Sequence, residues 1–180
     1  IIMKILPFLL AFLALFSCVT NDSFKGSESE HVKAFNRMIA PFVEEMKKTE
    51  DLSPTIVSGE LMDQVNTVAL YFKSDKSLSI KNSRELYIRC TQKLLSYIND
   101  HEEIRPYLAI YPFTENEIEF DISFYNYKSY EYPSPPNVAH IFNVKQKIYY
   151  SIDTGATDNN PLKTIHEETY SEALKIVKGE

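Results

Sequence analysis

The chain has 180 residues, a formal net charge of −6, 24% charged and 44% hydrophobic side chains, and no tryptophan. An acidic composition without a basic cluster excludes nucleic acid as a partner and excludes electrostatic docking on anionic lipid. Twelve tyrosines and eleven phenylalanines are an aromatic load suited to a β-rich core or an adhesive surface.

Met3-Lys4 gives a short positive start, and Ile5 to Phe16 is an apolar run of 12 residues interrupted only by Pro7. A bilayer-spanning helix needs roughly 20 such residues, so the run suits the apolar region of a secretory signal and not a spanning anchor. It closes on Leu15-Phe16-Ser17-Cys18, which resembles the lipobox of bacterial lipoproteins, although Phe16 is bulkier than the usual residue there. The resemblance implies diacylglycerol on the Cys18 thiol, cleavage after Ser17 and acylation of the new amine. It divides the chain into a signal peptide (1–17), a lipidated cysteine with a polar tether (18–29) and one domain (30–180). Acyl chains of this kind hold a protein to a membrane without a spanning helix. Val19, where an aspartate often marks retention at the inner membrane, leans the implied address toward the outer membrane of the cell envelope. The plainer alternative is an ordinary signal peptide in which Cys18 is incidental. The 163 residues from Cys18 onward are the size of one domain, large enough to bury roughly 70% of the unfolded surface. With Cys18 lipidated, Cys90 has no cysteine to pair with.

From Glu30 to about Lys48 the apolar positions Val32, Phe35, Ile39, Phe42, Val43 and Met46 have helical spacing, with Pro41 expected to kink or split the helix. Thr55 to Asn66 gives no clear signal. Val68 to Phe72 reads as a buried strand. A second helix is expected from Ser79 or Asn82, with its stripe at Leu86, Tyr87, Cys90, Leu94, Tyr97 and Ile98, ending near His101. A proline-marked loop follows. Ile118, Phe120, Ile122 and Phe124 then alternate with polar residues, which predicts a strand buried on one face. Tyr127 to Asn137 is a loop rich in tyrosine and proline, and Val138–Val144 with Lys147–Ile152 reads as a hairpin turned at Lys145-Gln146. A last helix is expected to carry Ile165, Tyr170, Ala173, Leu174 and Val177. The predicted class is α+β, an antiparallel sheet of about four strands with helices on one face, in the order α-β-α-β-β-β-α. The stretch Glu103–Tyr125, with IRPYL, YPFT and EIEFDISFY, resembles small lipoproteins of chlamydia-type intracellular bacteria, a resemblance that implies no activity.

His31, His101, His140 and His166 each lack a second His or Cys at ligand spacing, so no metal and no cofactor are expected. His166-Glu167-Glu168 reads as solvated helix-end charge. No nucleophile elbow or glycine-rich phosphate loop is present. Cys90, on an apolar stripe, is expected to pack as a small hydrophobe. Two features remain as candidate sites. Glu117, Glu119 and Asp121 share strand parity about 7 Å apart and offer a general acid and base, the basis for a hydrolase of envelope polymer; the plainer reading is a solvated strand face. Tyr127, Tyr130 and Tyr132, set among prolines, offer a preorganised contact surface for an envelope protein partner; the plainer reading is a loop folded on its own rings.

Overall fold

The computed structural model describes residues 28–129, 131–156 and 161–180. The elements in chain order are α1 (Glu30–Thr49), β1 (Ser53–Glu60), β2 (Thr67–Ser74), α2 (Ile80–Asp100), β3 (Ile118–Phe124), β4 (His140–Val144), β5 (Lys147–Asp153), β6 (Leu162–Thr169) and α3 (Tyr170–Lys178). Two short 3-10 turns, Arg105–Tyr107 and Glu115–Glu117, lie between α2 and β3. The class is α+β, as expected.

The strands form one six-stranded sheet in the order β1-β2-β3-β4-β5-β6. It is larger than the expected four strands, and mixed: β2 and β3 run parallel while every other pair is antiparallel. A parallel pair needs a long crossover, and α2 with the loop behind it supplies that link.

Two strands account for the difference in size. The first, β1, is an edge strand with mostly exposed side chains, so its residues show no alternating pattern. The second, β6, replaces the first half of the expected last helix. Thr164, Ile165 and Thr169 are β-branched, and pairing with β5 holds the segment extended as far as Thr169. There Thr169 and Glu172 close a capping box, so α3 starts at Tyr170. Gly179, with φ 75°, ends it.

Pro41 does not break α1, which runs as one helix through it. Pro41 and Arg37 are both exposed, so the Arg37 carbonyl that loses its helical donor is left to water. Ser79 caps α2 by accepting from the Asn82 amide at 3.3 Å.

The helices α1, α2 and α3 pack on one face of the sheet. Phe35, Met38, Phe42 and Met46 of α1, Leu86, Tyr87 and Leu94 of α2, and Ala173 of α3 share one buried cluster with Leu70, Phe72, Ile118, Phe120, Ile122, Phe124, Ile141, Ile148 and Tyr150 of the sheet. The alternation read in β3 is the observed one: Ile118, Phe120, Ile122 and Phe124 are buried, and the Phe120 ring meets Tyr87 edge-on at 5.6 Å. Among the described residues, the opposite face of the sheet carries no helix.

Candidate functional site

The uncovered face is organised by strand register. Ile56 stands opposite Tyr71, Tyr71 opposite Asp121, Asp121 opposite Phe142, Phe142 opposite Tyr149 and Tyr149 opposite Glu167. One row of side chains therefore crosses all six strands. Phe142 and Tyr149 stack across β4 and β5 at 5.3 Å with planes 19° apart, and His140, two residues before Phe142 on β4, stacks on it at 4.8 Å and 23°. Such cross-strand aromatic pairs stabilise a sheet and leave a rigid apolar strip at its surface. Lys147 pairs with Glu167 at 2.9 Å at one end of the strip.

The acidic groups lie beside it. His140 Nε2 and Asp121 Oδ1 are 2.7 Å apart, and both side chains are half-buried. The Tyr71 hydroxyl donates to Glu119 Oε2 at 3.0 Å. Burial, and then that carboxylate, push the Tyr71 hydroxyl above its ordinary pKa. Tyr71, Glu119, Asp121, Phe142, Asn143 and Lys145 help line a groove of about 360 Å³. Asn143 is fixed from below: its amide donates to the Ile118 carbonyl at 2.8 Å and its Oδ1 accepts from the Phe120 N–H at 2.8 Å.

Glu117 does not belong to this set. It ends a 3-10 turn ahead of β3, and its Oε2 accepts from the Thr114 amide at 2.8 Å and hydroxyl at 2.7 Å. Local capping took the carboxylate that strand parity had placed beside Glu119. What is left can hold a cation or hydroxyl-rich group through Glu119 and Asp121. Ser123 stands opposite His140 in the register, but no hydrogen bond joins their side chains among the described residues. Among the described residues no group of three His, Cys, Asp or Glu has metal-binding geometry.

The tyrosine loop adjoins the same face. Asn126 pairs with Glu131, and its side chain accepts from the Lys128 amide at 2.8 Å. The Tyr127 ring packs against Tyr125 at 5.2 Å and under the Lys73 ammonium at 4.9 Å, with its hydroxyl out of contact with water. Burial pushes that hydroxyl's pKa up to about 12. Tyr132 is half-buried and lies 6.2 Å from Tyr125. It helps line a second groove of about 270 Å³ with Asp75, Lys76, Ser129 and Glu131. Tyr130 and Cys18 lie outside the described residues.

One polar cluster was not visible in the sequence. Arg84 of α2 donates to Glu168 of β6 at 2.7 Å, with side chains only 11% and 5% exposed. The Tyr150 hydroxyl donates to the same carboxylate, and His166 Nε2 lies 3.4 Å from it. His166-Glu167-Glu168 is thus strand and not helix-end charge, and alternation turns Glu168 inward while Glu167 meets water. Burial would raise the Glu168 carboxyl, but hydrogen bonds from Arg84 and Tyr150 outweigh it and hold the pKa low. The four residues are scattered over 85 positions of sequence, and no spacing rule joins them. They clamp α2 to the β5–β6 edge. Cys90 is fully buried, and burial raises its thiol to about 12.

Comparisons with protein-family models, with curated proteins and with solved structures returned no match.

Proposed function

We propose that the chain is the precursor of a bacterial envelope lipoprotein, acylated on Cys18, whose domain is a non-enzymatic binding module for an envelope protein. The carrying observation is the six-strand row Ile56–Tyr71–Asp121–Phe142–Tyr149–Glu167, aromatic at its centre and free of helix cover among the described residues. A binding module needs a rigid, partly apolar surface with polar groups at its margin, and no convergent catalytic set. Tyr127, Tyr130 and Tyr132 belong to the loop that borders this face at Lys73. The lipobox at Leu15–Cys18 supports the anchor, and Val19 supports an outer-membrane address.

Two measurements test the proposal. The intact mass of the protein extracted from its own membranes should correspond to residues 18–180 carrying acyl chains. A mature N-terminus at any other residue removes the lipoprotein assignment. The double variant Phe142→Ala/Tyr149→Ala should reduce chemical cross-linking to the envelope partner at least tenfold while the domain stays folded. Unchanged cross-linking would remove the open face from the proposal.

A second reading, an envelope hydrolase using the acidic strand, has one observation in its favour. Glu119 and Asp121 both line the 360 Å³ groove, and His140 Nε2 lies 2.7 Å from Asp121, so two carboxylates share one opening. Release of soluble fragments from purified envelope polymer, abolished by Asp121→Asn, would establish it. Equal release by wild type and variant would dismiss it.

A further inference from the structure

Among the described residues, every buried serine or threonine but one has a hydrogen-bonded side chain. Ser83 of α2 donates to the Ile80 carbonyl at 3.0 Å, the usual recourse of a hydroxyl inside a helix. Ser74 accepts from the Lys76 amide at 3.4 Å, and Ser151 lies 3.3 Å from the Thr164 hydroxyl. Thr91 of α2 is the exception. It is 2% exposed, and its hydroxyl has no hydrogen-bond partner among the described residues. A hydroxyl taken out of water and left unbonded destabilises a fold, and native structures rarely keep one.

The packing leaves a hole at this residue. A crevice of about 10 Å³, room for one water-sized sphere, is lined by Tyr87 and Thr91 of α2, Glu115, Asn143 of β4, Gln146 and Tyr170 of α3. Polar side chains outnumber apolar ones in its lining. An apolar hole stays dry, whereas a polar one of this size holds a water that finds two to four partners. Tyr170 enters as a donor: burial, and then the Glu115 charge, push its hydroxyl up to about 12, so it keeps its proton at neutral pH. Asn143 does not donate here, because its amide hydrogens bond the Ile118 and Lys145 carbonyls at 2.8 and 3.1 Å.

The buried hydroxyl and the polar hole beside it answer each other. We infer that the crevice is a binding site for one structural water, held by the Thr91 hydroxyl and bridging α2 to the far side of the crevice. Its volume admits no organic ligand. The water completes a hydroxyl that the helix backbone does not satisfy, and it is the reason a threonine is tolerated on the core side of α2. Asn143 and Lys145 also line the open-face groove, so the crevice and the groove share one wall, and the water supports that wall from within.

A crystal structure of the protein supplies the direct test. A solvent peak within about 3.2 Å of Thr91 Oγ1, in reach of a second polar atom of the lining, is expected. No peak in the crevice overturns the site. Thr91→Val tests it in solution, because valine keeps the shape of threonine and has a similar helix propensity. If a water completes the hydroxyl, the variant loses hydrogen bonds, and its unfolding constant in urea should rise about fivefold. If the hydroxyl is unbonded, its removal relieves the fold. An unchanged or lower unfolding constant therefore overturns the proposal. Should the valine variant fail to fold, the crystallographic result on the unaltered chain still decides.

Discussion

Individual side chains divide into those whose surroundings are set locally and those set by distant pairing. Cys90 is of the first kind. Its place on the α2 stripe is legible from helical spacing, and the structure buries it fully. With its thiol pushed up to about 12 by burial, it carries almost no thiolate at neutral pH. Labelling by a thiol reagent should be slow in the folded domain and fast in denaturant; equal rates would show an exposed thiol. Phe120 and Glu119 are likewise separated by strand alternation. Phe120→Ala should cost about 3–5 kcal/mol in denaturant unfolding and Glu119→Ala within about 0.5 kcal/mol. The Arg84–Glu168–Tyr150 cluster is of the second kind and had no sequence signal. Arg84→Met leaves a buried carboxylate without its cation and should destabilise by about 3–5 kcal/mol. The Glu168 carboxyl is held low in the folded state, so its stabilising contribution is complete above its unfolded value. That contribution is lost as pH falls through the folded value. Stability measured from about pH 5 downward should therefore fall less steeply in Glu168→Gln than in the wild type. Identical slopes would contradict the clamp.

At the scale of elements, legibility followed burial. The helices α1 and α2 and the strand β3 each bury one regular face, and their periods show in the sequence; β2 shows instead as the apolar run Val68–Phe72, buried at Val68, Ala69 and Leu70 alike. The edge strands show neither. In β1 only one neighbour strand pairs, and the side chains of Ile56 to Ser58 are exposed. In β6 a register shift opposite Tyr150 and Ser151 breaks the alternation, and His166-Glu167-Glu168 imitates a polar helix. The start of α3 was nonetheless written locally, as Thr169 three residues ahead of Glu172. Thr169→Ala should cost about 1 kcal/mol in thermal or chemical unfolding, and no loss would mean the cap is not formed in solution. Pro41 shows a local rule overridden by context. The core-facing stripe of α1 pulls the helix through it, and the penalty is taken on the solvent side. Pro41→Ala should raise stability by about 2 kcal/mol, less whatever rigidity proline gives the unfolded chain.

At the scale of the whole molecule, the class and the helix-covered face were readable, while the sheet's width and its parallel centre were not. Parallel pairing of β2 and β3 depends on where α2 returns the chain, which no local pattern states. The same holds for the candidate site. Glu119 and Asp121 were visible as a pair, but Tyr71, His140, Phe142 and Tyr149 join them only through register across four strands. The loop tyrosines were visible by composition, yet Tyr127 turns its hydroxyl inward. The central claim is that a partner meets the uncovered face of the sheet. Its most direct test is a photo-cross-linking amino acid placed in cells at Tyr149 on that face and, separately, at exposed Lys81 on α2. One partner of fixed mass should be trapped from position 149 and not from position 81. No adduct at 149, or the same adduct from both positions, would contradict the claim.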